Sequence, residues 1–190
     1  MKTLSKHLLL GLLMSNLLLI SCKKDTAEIE NVITKKSFLK IGDKEYNLAK
    51  GAFLNDGKED SSLVYFHELA FFSDSFSLTT SQFGEMEISG SGQLIYFDLY
   101  SSMGEQLDEG DYMYSSESGS FVKTFDYGAY FINYSSDNTE NEEVEIISGT
   151  LSVSKTDGEY SITINCMSED GEIVTGFFNG KLEYFVSVFA

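Results

Sequence analysis

The stretch that decides the fold is residues 144–188, which read VEIISGTLSVSKTDGEYSITINCMSEDGEIVTGFFNGKLEYFVSV. Apolar residues recur there at every second position, which is the period of a strand with one buried face. Asp-Gly or Asn-Gly pairs at 157–158, 170–171 and 179–180 supply the positive φ values of tight hairpin turns. The stretch therefore predicts a C-terminal meander of four strands, at 144–154, 159–168, 173–178 and 181–188.

The same two-residue period begins at residue 37 and is punctuated by Gly, Asp, Asn and Ser clusters. No part of 37–190 shows a helical period, so these residues predict a single all-β domain. Roughly ten strands in about 150 residues suit an antiparallel β-sandwich or a flattened barrel. Fifteen Phe and eleven Tyr supply the bulk of a core in a chain without tryptophan.

Charge excludes one class of partner. All 13 basic residues are lysine, and they face 30 acids, for a net charge of −17. The chain therefore has no guanidinium group for bidentate contacts to phosphates or base edges, and its negative field repels polyanions. These two features exclude nucleic-acid binding. The charge is also uneven: residues 22–58 hold eight lysines and six acids, whereas 59–190 hold three lysines and 24 acids. This field either serves solubility alone or also steers cationic partners.

Residues 1–21 have the organisation of an export signal, in which Lys2 and Lys6 precede an apolar run at 8–20. The run is too short for a membrane-spanning helix, which needs roughly 20 residues. It ends in Leu-Ile-Ser-Cys at 19–22, which resembles a bacterial lipobox. The resemblance implies cleavage before Cys22 and acylation of its thiol, so that lipid anchors the protein. The alternative is an ordinary signal peptide or uncleaved anchor with an incidental cysteine.

Residues 22–36 lack a sustained apolar period and predict a flexible tether between the lipid and the domain. Within them, Lys-Lys-Asp at 23–25 resembles the lysine-plus-acid signal that directs lipoproteins of the Bacteroidetes to the outer leaflet of the outer membrane. That resemblance implies display on the cell surface, with the periplasmic leaflet as the alternative.

Several phrases of the predicted domain are similar to small β-rich outer-membrane lipoproteins that are widespread in the Bacteroidetes. They include FLKIGDKEYNL at 38–48, LIYFDLYSS at 94–102 and LDEGDYMY at 107–114, followed by much of 148–184. The resemblance spans nearly the whole chain after Cys22. It implies an architecture and a location and assigns no active site.

Nucleophilic catalysis has few residues at its disposal. With Cys22 lipidated and the signal peptide removed, Cys166 and His67 are the remaining cysteine and histidine. Cys166 lies on the apolar face of a predicted strand, where a buried thiol is inert. His67 lies within a predicted strand and has no recognisable nucleophile elbow near it. One histidine and one thiol also argue against an ordinary zinc site. We therefore predict no catalytic residues.

Carboxylates leave two further hypotheses open. Asp137, Asn138, Glu140 and Glu142 place hard oxygen ligands in one loop, so calcium binding is the alternative to a solvated acidic turn. A second acidic cluster lies at 108–111, and neither cluster has the spacing of an EF-hand. The abundance of acids also allows a paired-carboxylate glycoside hydrolase, although tryptophan, which is common in sugar subsites, is absent.

Tyrosines suggest a ligand surface. Tyr96 and Tyr100 alternate along one predicted strand, as do Tyr130 and Tyr134 along another. Exposed tyrosine rings on one strand face can stack on sugars, so these four residues are candidate ligand contacts. The alternative is that they are amphipathic rings at the margin of a sheet.

These observations predict a non-enzymatic β-domain that is lipid-anchored in the cell envelope and binds a glycan, a host protein or another envelope protein. A lipocalin-like carrier of a small apolar ligand is the alternative, although the Gly-x-Trp of that family is missing from the first strand. An acid-pair glycoside hydrolase ranks third. A filled interior favours the binding module, a large apolar cavity the carrier, and converging acids in a cleft the enzyme.

Overall fold

The structure is a computed structural model that describes residues 36–58, 64–82, 85–117 and 121–187. Within these ranges the regular elements are all β-strands, as the two-residue period predicts. The same ranges contain no helix that is long and apolar enough to cross a membrane. The predicted signal peptide, Cys22 and nearly all of the tether lie outside the described residues.

Thirteen strands occur in the described ranges, more than the sequence predicts. They are β1 (Phe38–Ile41), β2 (Lys44–Asn47), β3 (Lys50–Lys58), β4 (Tyr65–Phe72), β5 (Ser77–Thr80), β6 (Met86–Ser89), β7 (Ser91–Ser101), β8 (Gly110–Tyr114), β9 (Thr124–Ser135), β10 (Val144–Thr156), β11 (Glu159–Ser168), β12 (Ile173–Gly180) and β13 (Leu182–Val186). Eleven form one sheet in the order β13-β3-β4-β7-β9-β8-β10-β11-β12-β1-β2, and β5 pairs with β6 separately.

The large sheet curls into a half-barrel. β2 lies at one end of the strand order and β3 lies next to the other end. Two residues, Leu48 and Ala49, connect them, so the Cα atoms of Asn47 and Lys50 lie within about 11 Å of each other. In a flat sheet, nine strand spacings would separate β2 from β3 by roughly 40 Å. The curl places the fold closer to the flattened barrel than to the sandwich.

The inner face of the curled sheet carries the main core. Side chains from strands far apart in the strand order meet there: the ring centroids of Phe71 in β4 and Phe178 in β12 are 4.8 Å apart. Leu39, Leu69 and Phe97 are fully buried in the same cluster. Large side chains therefore fill the interior of the half-barrel.

A second core lies on the outer face, under the β5–β6 hairpin. It consists of Ala52, Ala70, Phe72, Phe76, Leu94, Phe131 and Phe185, with Leu78, Met86 and Ile88 of the hairpin packed against it. The chain neighbours of these residues in the sheet, such as Phe71 and Ile95, belong to the main core. Strands β3, β4, β7 and β9 are thus buried on both faces where the hairpin covers them.

All four strands predicted at 144–188 are present, as β10 to β13, and the first three form the predicted meander. β10, β11 and β12 are consecutive antiparallel neighbours, joined by turns that contain 157–158 and 170–171. The third predicted turn is wrong, because Asn179 and Gly180 lie inside β12 and pair with Ser161 and Tyr160. β1 occupies the other edge of β12, so β13 pairs instead with β3, in parallel. β8 and β9 are also parallel, so the sheet is not wholly antiparallel.

Candidate functional site

A cleft of about 420 Å³ opens where several turns meet at one end of the sheet. It is lined by the β1–β2 turn, the end of β9, the start of β10 and the β11–β12 turn. Its volume lies within the range of small-molecule sites. Gly42 has a φ of +55°, which glycine adopts without strain, and its N–H donates to the carbonyl of Ile173 at 3.0 Å. This hydrogen bond holds the β1–β2 turn against the start of β12.

Apolar side chains form the floor of the cleft. They are Ile41, Tyr46, Tyr130, Ile132 and Val144. Tyr130 belongs to the main core and is 3% exposed, and the other four pack against that core. Burial is the main reason that the pKa of Tyr130 is raised, so its ring is neutral at physiological pH. The floor is therefore the edge of the core, reachable from solvent.

Charged side chains form the rim. They are Asp43, Lys44, Glu142, Asp170 and Glu172, all of them exposed. In the part of the chain that the structure describes, none of the four carboxylates forms an ion pair with a lysine. The cleft thus combines an apolar floor with a rim of four carboxylates and one ammonium.

Of the four calcium candidates, Glu142 lines the cleft. The loop that carries them is closed by Asn141, whose amide donates to the carbonyls of Ser135 and Asn138 at 3.0 and 2.8 Å. The side-chain oxygen of Asn138 accepts the N–H of Glu140 at 3.1 Å. Among the described residues, no group of three or more His, Cys, Asp or Glu side chains could hold a metal ion. The candidates shape a turn and are not brought together as a ligand set.

The second acidic cluster, at 108–111, is engaged in internal contacts. Asp108 accepts hydrogen bonds from the N–H and the hydroxyl of Ser102, at 2.6 and 2.8 Å. Asp111 accepts the hydroxyl of Ser152 at 2.6 Å. Carboxylate oxygens of Asp108 and Asp111, which a calcium site would need as ligands, therefore already accept hydrogen bonds from hydroxyl and backbone N–H groups.

The tyrosine candidates Tyr130 and Tyr134 lie on opposite faces of the sheet. The β7–β9 register shifts between Gly92 and Leu94, and this bulge changes which residues face inward. Tyr130 consequently lies in the main core, whereas Tyr134 packs on the outer core with its ring 5.7 Å from that of Phe76.

Tyr96 and Tyr100 share the outer face, as their alternation predicts. The ring of Tyr96 stacks 6.4 Å from that of Phe131, and the ring of Tyr100 lies 5.6 Å from that of Phe66. The Tyr100 hydroxyl donates to Asp126 at 2.9 Å. Both tyrosines are half-buried in ring contacts, and of the four candidates Tyr130 alone lines the cleft.

Sequence reasoning misses an acidic pair on the outer face. Glu68 in β4 lies directly opposite Asp98 in β7. Burial first, then the charges of Glu68, Asp126 and Asp56, raise the pKa of Asp98 to about 7. Burial and the charge of Asp56 also raise the pKa of Glu68. No local pattern could have revealed the pair, because it depends on the register of two strands that are distant in sequence.

His67 is fully buried, and its Nε2 lies 2.8 Å from both the Ser101 hydroxyl and the Met103 carbonyl. Burial lowers the pKa of His67, which keeps the imidazole neutral. Its Nδ1 has no hydrogen-bond partner, so no acid orients the ring, and Ser101 is itself fully buried. These residues form a structural polar pair and lack the geometry of a Ser-His-acid triad.

Cys166 is buried in the main core, as the sequence predicts. Burial raises the pKa of its thiol to about 11. A thiol that is both inaccessible and protonated is a packing group and not a nucleophile.

The fold and the cleft together define a class: an all-β half-barrel domain with an open, acid-rimmed cleft. No family model, curated protein or solved structure matches the chain. Its function therefore has to be argued from the cleft itself.

Proposed function

We propose that this protein is a lipid-anchored binding protein of the cell envelope that holds its ligand in the cleft and does not catalyse a reaction. One observation carries the proposal, namely that the interior is filled while the cleft is open. The main core packs the inside of the half-barrel, and the cleft keeps an apolar floor within reach of solvent. An open apolar pocket with a few polar groups is the usual form of a ligand site.

Packing of the interior favours a binding module over a lipocalin-like carrier. A carrier needs an apolar cavity of ligand size inside its barrel. Here the rings of Phe97 and Phe125 meet edge to face at 5.5 Å, and those of Phe71 and Phe178 lie 4.8 Å apart across the interior. These contacts occupy the space that a carried ligand would require.

The position of the acidic pair favours binding over glycoside hydrolysis. Glu68 lines a groove of about 370 Å³ beside the β5–β6 hairpin, together with Leu54, Glu85, Met86, Ile88 and Ser187. Asp98 lies one strand further on, and its Oδ1 is buried. A glycosidase needs both carboxylates to face the scissile bond. In this arrangement Glu68 lines the groove and Asp98 does not.

The envelope location is proposed from residues 1–25, whose export signal and Cys22 resemble those of surface lipoproteins. The test is protease shaving of intact cells that express either the wild-type chain or Cys22→Ala. We expect loss of the wild-type domain from intact cells and a Cys22→Ala protein that is not retained in the membrane fraction. Protection of the wild-type domain until the outer membrane is opened would contradict surface display and favour the periplasmic leaflet.

Ligand binding at the cleft is tested by NMR on the purified full chain, with Tyr46 as the reporter of the floor. Neutral oligosaccharides, aliphatic amines and short peptides are titrated separately. We expect at least one class to shift the Tyr46 signals, and Tyr46→Ala to weaken the binding, while Thr163→Ala on the outer face retains it. If no class perturbs the floor, the cleft is not a ligand site and the proposal fails.

A further inference from the structure

The rim of the cleft narrows the class of ligand. Asp43, Glu142, Asp170 and Glu172 approach the cleft from three separate segments, and Lys44 is the single ammonium in the lining. No lysine is ion-paired with these carboxylates in the described ranges. Like charges around one cavity repel each other, and a cation placed among them relieves that repulsion.

The floor adds a second requirement, independent of charge. Tyr46 and Tyr130 line the cleft beside Ile41, Ile132 and Val144, and Tyr46 is the more exposed of the two tyrosines. Tyrosine faces attract ammonium groups through their quadrupole, and the aliphatic side chains favour a ligand with methylene groups. An inorganic cation would contact the carboxylates but not the apolar floor. A neutral apolar ligand would contact the floor but leave the negative charge of the rim without a counter-charge.

We propose that the cleft binds an aliphatic ammonium group, with the ammonium among the rim carboxylates and its methylene chain on the tyrosine-lined floor. This inference rests on the proposed function and names its ligand class. The excess of acids over residues 59–190, 24 against three lysines, would raise the local concentration of such cations and speed their capture. The ammonium could belong to a free diamine or to a lysine side chain, since both present the same group on the same kind of chain.

The test is isothermal titration calorimetry of the purified full chain with cadaverine, a five-carbon diamine, and with 1,5-pentanediol as its neutral match. We expect saturable binding of cadaverine at one site and no binding of the diol. Raising the ionic strength from about 0.02 M to about 0.2 M shortens the screening length and should weaken the binding. Equal binding of the diol would overturn the inference, because the charge would then contribute nothing.

Variants locate the site. Glu142→Gln and Tyr46→Ala should each weaken cadaverine binding about two- to fivefold, the range expected for an exposed charge pair or a cation–π contact. Glu159→Gln is the matched control, because it removes the same charge at the opposite end of β11, and it should bind as the wild type does. An equal loss in Glu159→Gln would show that the general field, and not the cleft, attracts the amine.

A lysine model compound, Nα-acetyl-lysine N-methylamide, separates the two sources. Tighter binding of this compound than of cadaverine points to a protein side chain, and the reverse order points to a free diamine. If a neutral oligosaccharide shifts the Tyr46 signals while neither amine binds, the ammonium inference is wrong and the proposed function stands. If nothing perturbs the floor, both fail.

Discussion

Strands β4 and β11 belong to the same sheet but bury their residues in different ways. In β11 the buried residues Tyr160, Ile162, Ile164 and Cys166 alternate with more exposed polar ones. In β4 the last four residues, 69–72, are all buried. The difference comes from the β5–β6 hairpin, which covers the outer face of β4 and leaves the outer face of β11 in solvent.

The contrast shows that the two halves of one curled sheet can be buried differently. One half is buried on its inner face alone and is called the single-faced half, and the other is buried on both faces and is called the double-faced half. The single-faced half, β10 to β12, depends on inner-face burial and on its tight turns. The double-faced half, β3, β4, β7 and β9, is held between two apolar clusters. Buried strands with both faces covered lose the alternation of a solvated sheet, as the run Leu-Ala-Phe-Phe at 69–72 shows.

The largest expected effect is that of Phe72→Ala, which tests whether the side chains on the outer face of the double-faced half form a true core. Phe72 is fully buried in the outer cluster, so Phe72→Ala should lower the free energy of unfolding by about 3–5 kcal/mol. Thr163→Ala, on the exposed face of β11, should change it by less than about 0.5 kcal/mol. Urea denaturation of both variants measures the difference. A loss below about 1 kcal/mol for Phe72→Ala would mean that the hairpin does not pack on the sheet.

The next effect concerns the backbone of the single-faced half. Gly149 has a φ of +135°, and a Cβ there would lie 2.5 Å from the Asn165 carbonyl oxygen and the Cys166 Cα. Backbone cannot move aside cheaply, so Gly149→Ala should lower the free energy of unfolding by about 2–3 kcal/mol.

The matched control is Gly171→Ala, in the β11–β12 turn. Gly171 also has a positive φ, +80°, but a Cβ there meets nothing within 4 Å. We expect about 1 kcal/mol of destabilisation, from conformational strain alone. Equal losses in the two variants would show that steric contact at Gly149 contributes nothing beyond its φ.

Sequence reasoning succeeded in the single-faced half and failed at particular places in the other. The strands β10 to β12 were predictable because polar and apolar residues alternate and Asp-Gly pairs mark their turns. β3, KGAFLNDGK, lacks this signal because its apolar residues form a run, its other positions are polar or glycine, and both faces are covered at its start. The parallel pairing of β13 with β3 depends on the curl of the whole sheet, which no local pattern contains.

The candidate site was predictable only in fragments. Tyr130 and Glu142 were singled out for unrelated reasons, and the structure places both in the cleft. The rest of the lining comes from the turns near Asp43 and Asp170, which are far apart in sequence and meet only when β1 pairs with β12. The bulge beside Leu94 could not be anticipated either, and it decides which face Tyr134 occupies.

A smaller expected effect is a pH dependence of the free energy of unfolding, which Asp98 causes in the double-faced half. The pKa of Asp98 is raised to about 7, so the folded state holds a proton that the unfolded state releases near pH 4. The free energy of unfolding therefore falls as pH rises from about 4 to about 7. Asp98→Asn removes this loss and should be close to wild type near pH 4. It should be more stable by about 1–2 kcal/mol near pH 8, a value reduced for solvent screening.

The measurement is urea denaturation of the wild type and Asp98→Asn at both pH values, with Glu159→Gln as the control in the single-faced half. The lowered pKa of His67 acts in the opposite sense, because its contribution to stability is lost as pH falls below about 6.5. That contribution is common to the wild type and the variants and cancels in the difference. A difference that does not depend on pH would contradict the account of the Glu68–Asp98 pair.

The smallest effect compares one kind of hydrogen bond in the two halves. The Tyr100 hydroxyl donates to Asp126 at 2.9 Å on the double-faced half, where both side chains are half-buried. The Ser152 hydroxyl donates to Asp111 at 2.6 Å on the single-faced half, where both are exposed. Removing a hydroxyl from a partly desolvated carboxylate leaves an acceptor that water reaches poorly, whereas water replaces the exposed hydroxyl at once.

We therefore expect Tyr100→Phe to lower the free energy of unfolding by about 1 kcal/mol and Ser152→Ala by about 0.3 kcal/mol or less. Both variants keep the backbone pairing of their strands, so the two losses are directly comparable by urea denaturation. If Ser152→Ala loses as much as Tyr100→Phe, the outer face of the single-faced half is shielded from water. Solvent exposure of the outer face could then no longer explain why buried and exposed residues alternate in β11 but not in β4.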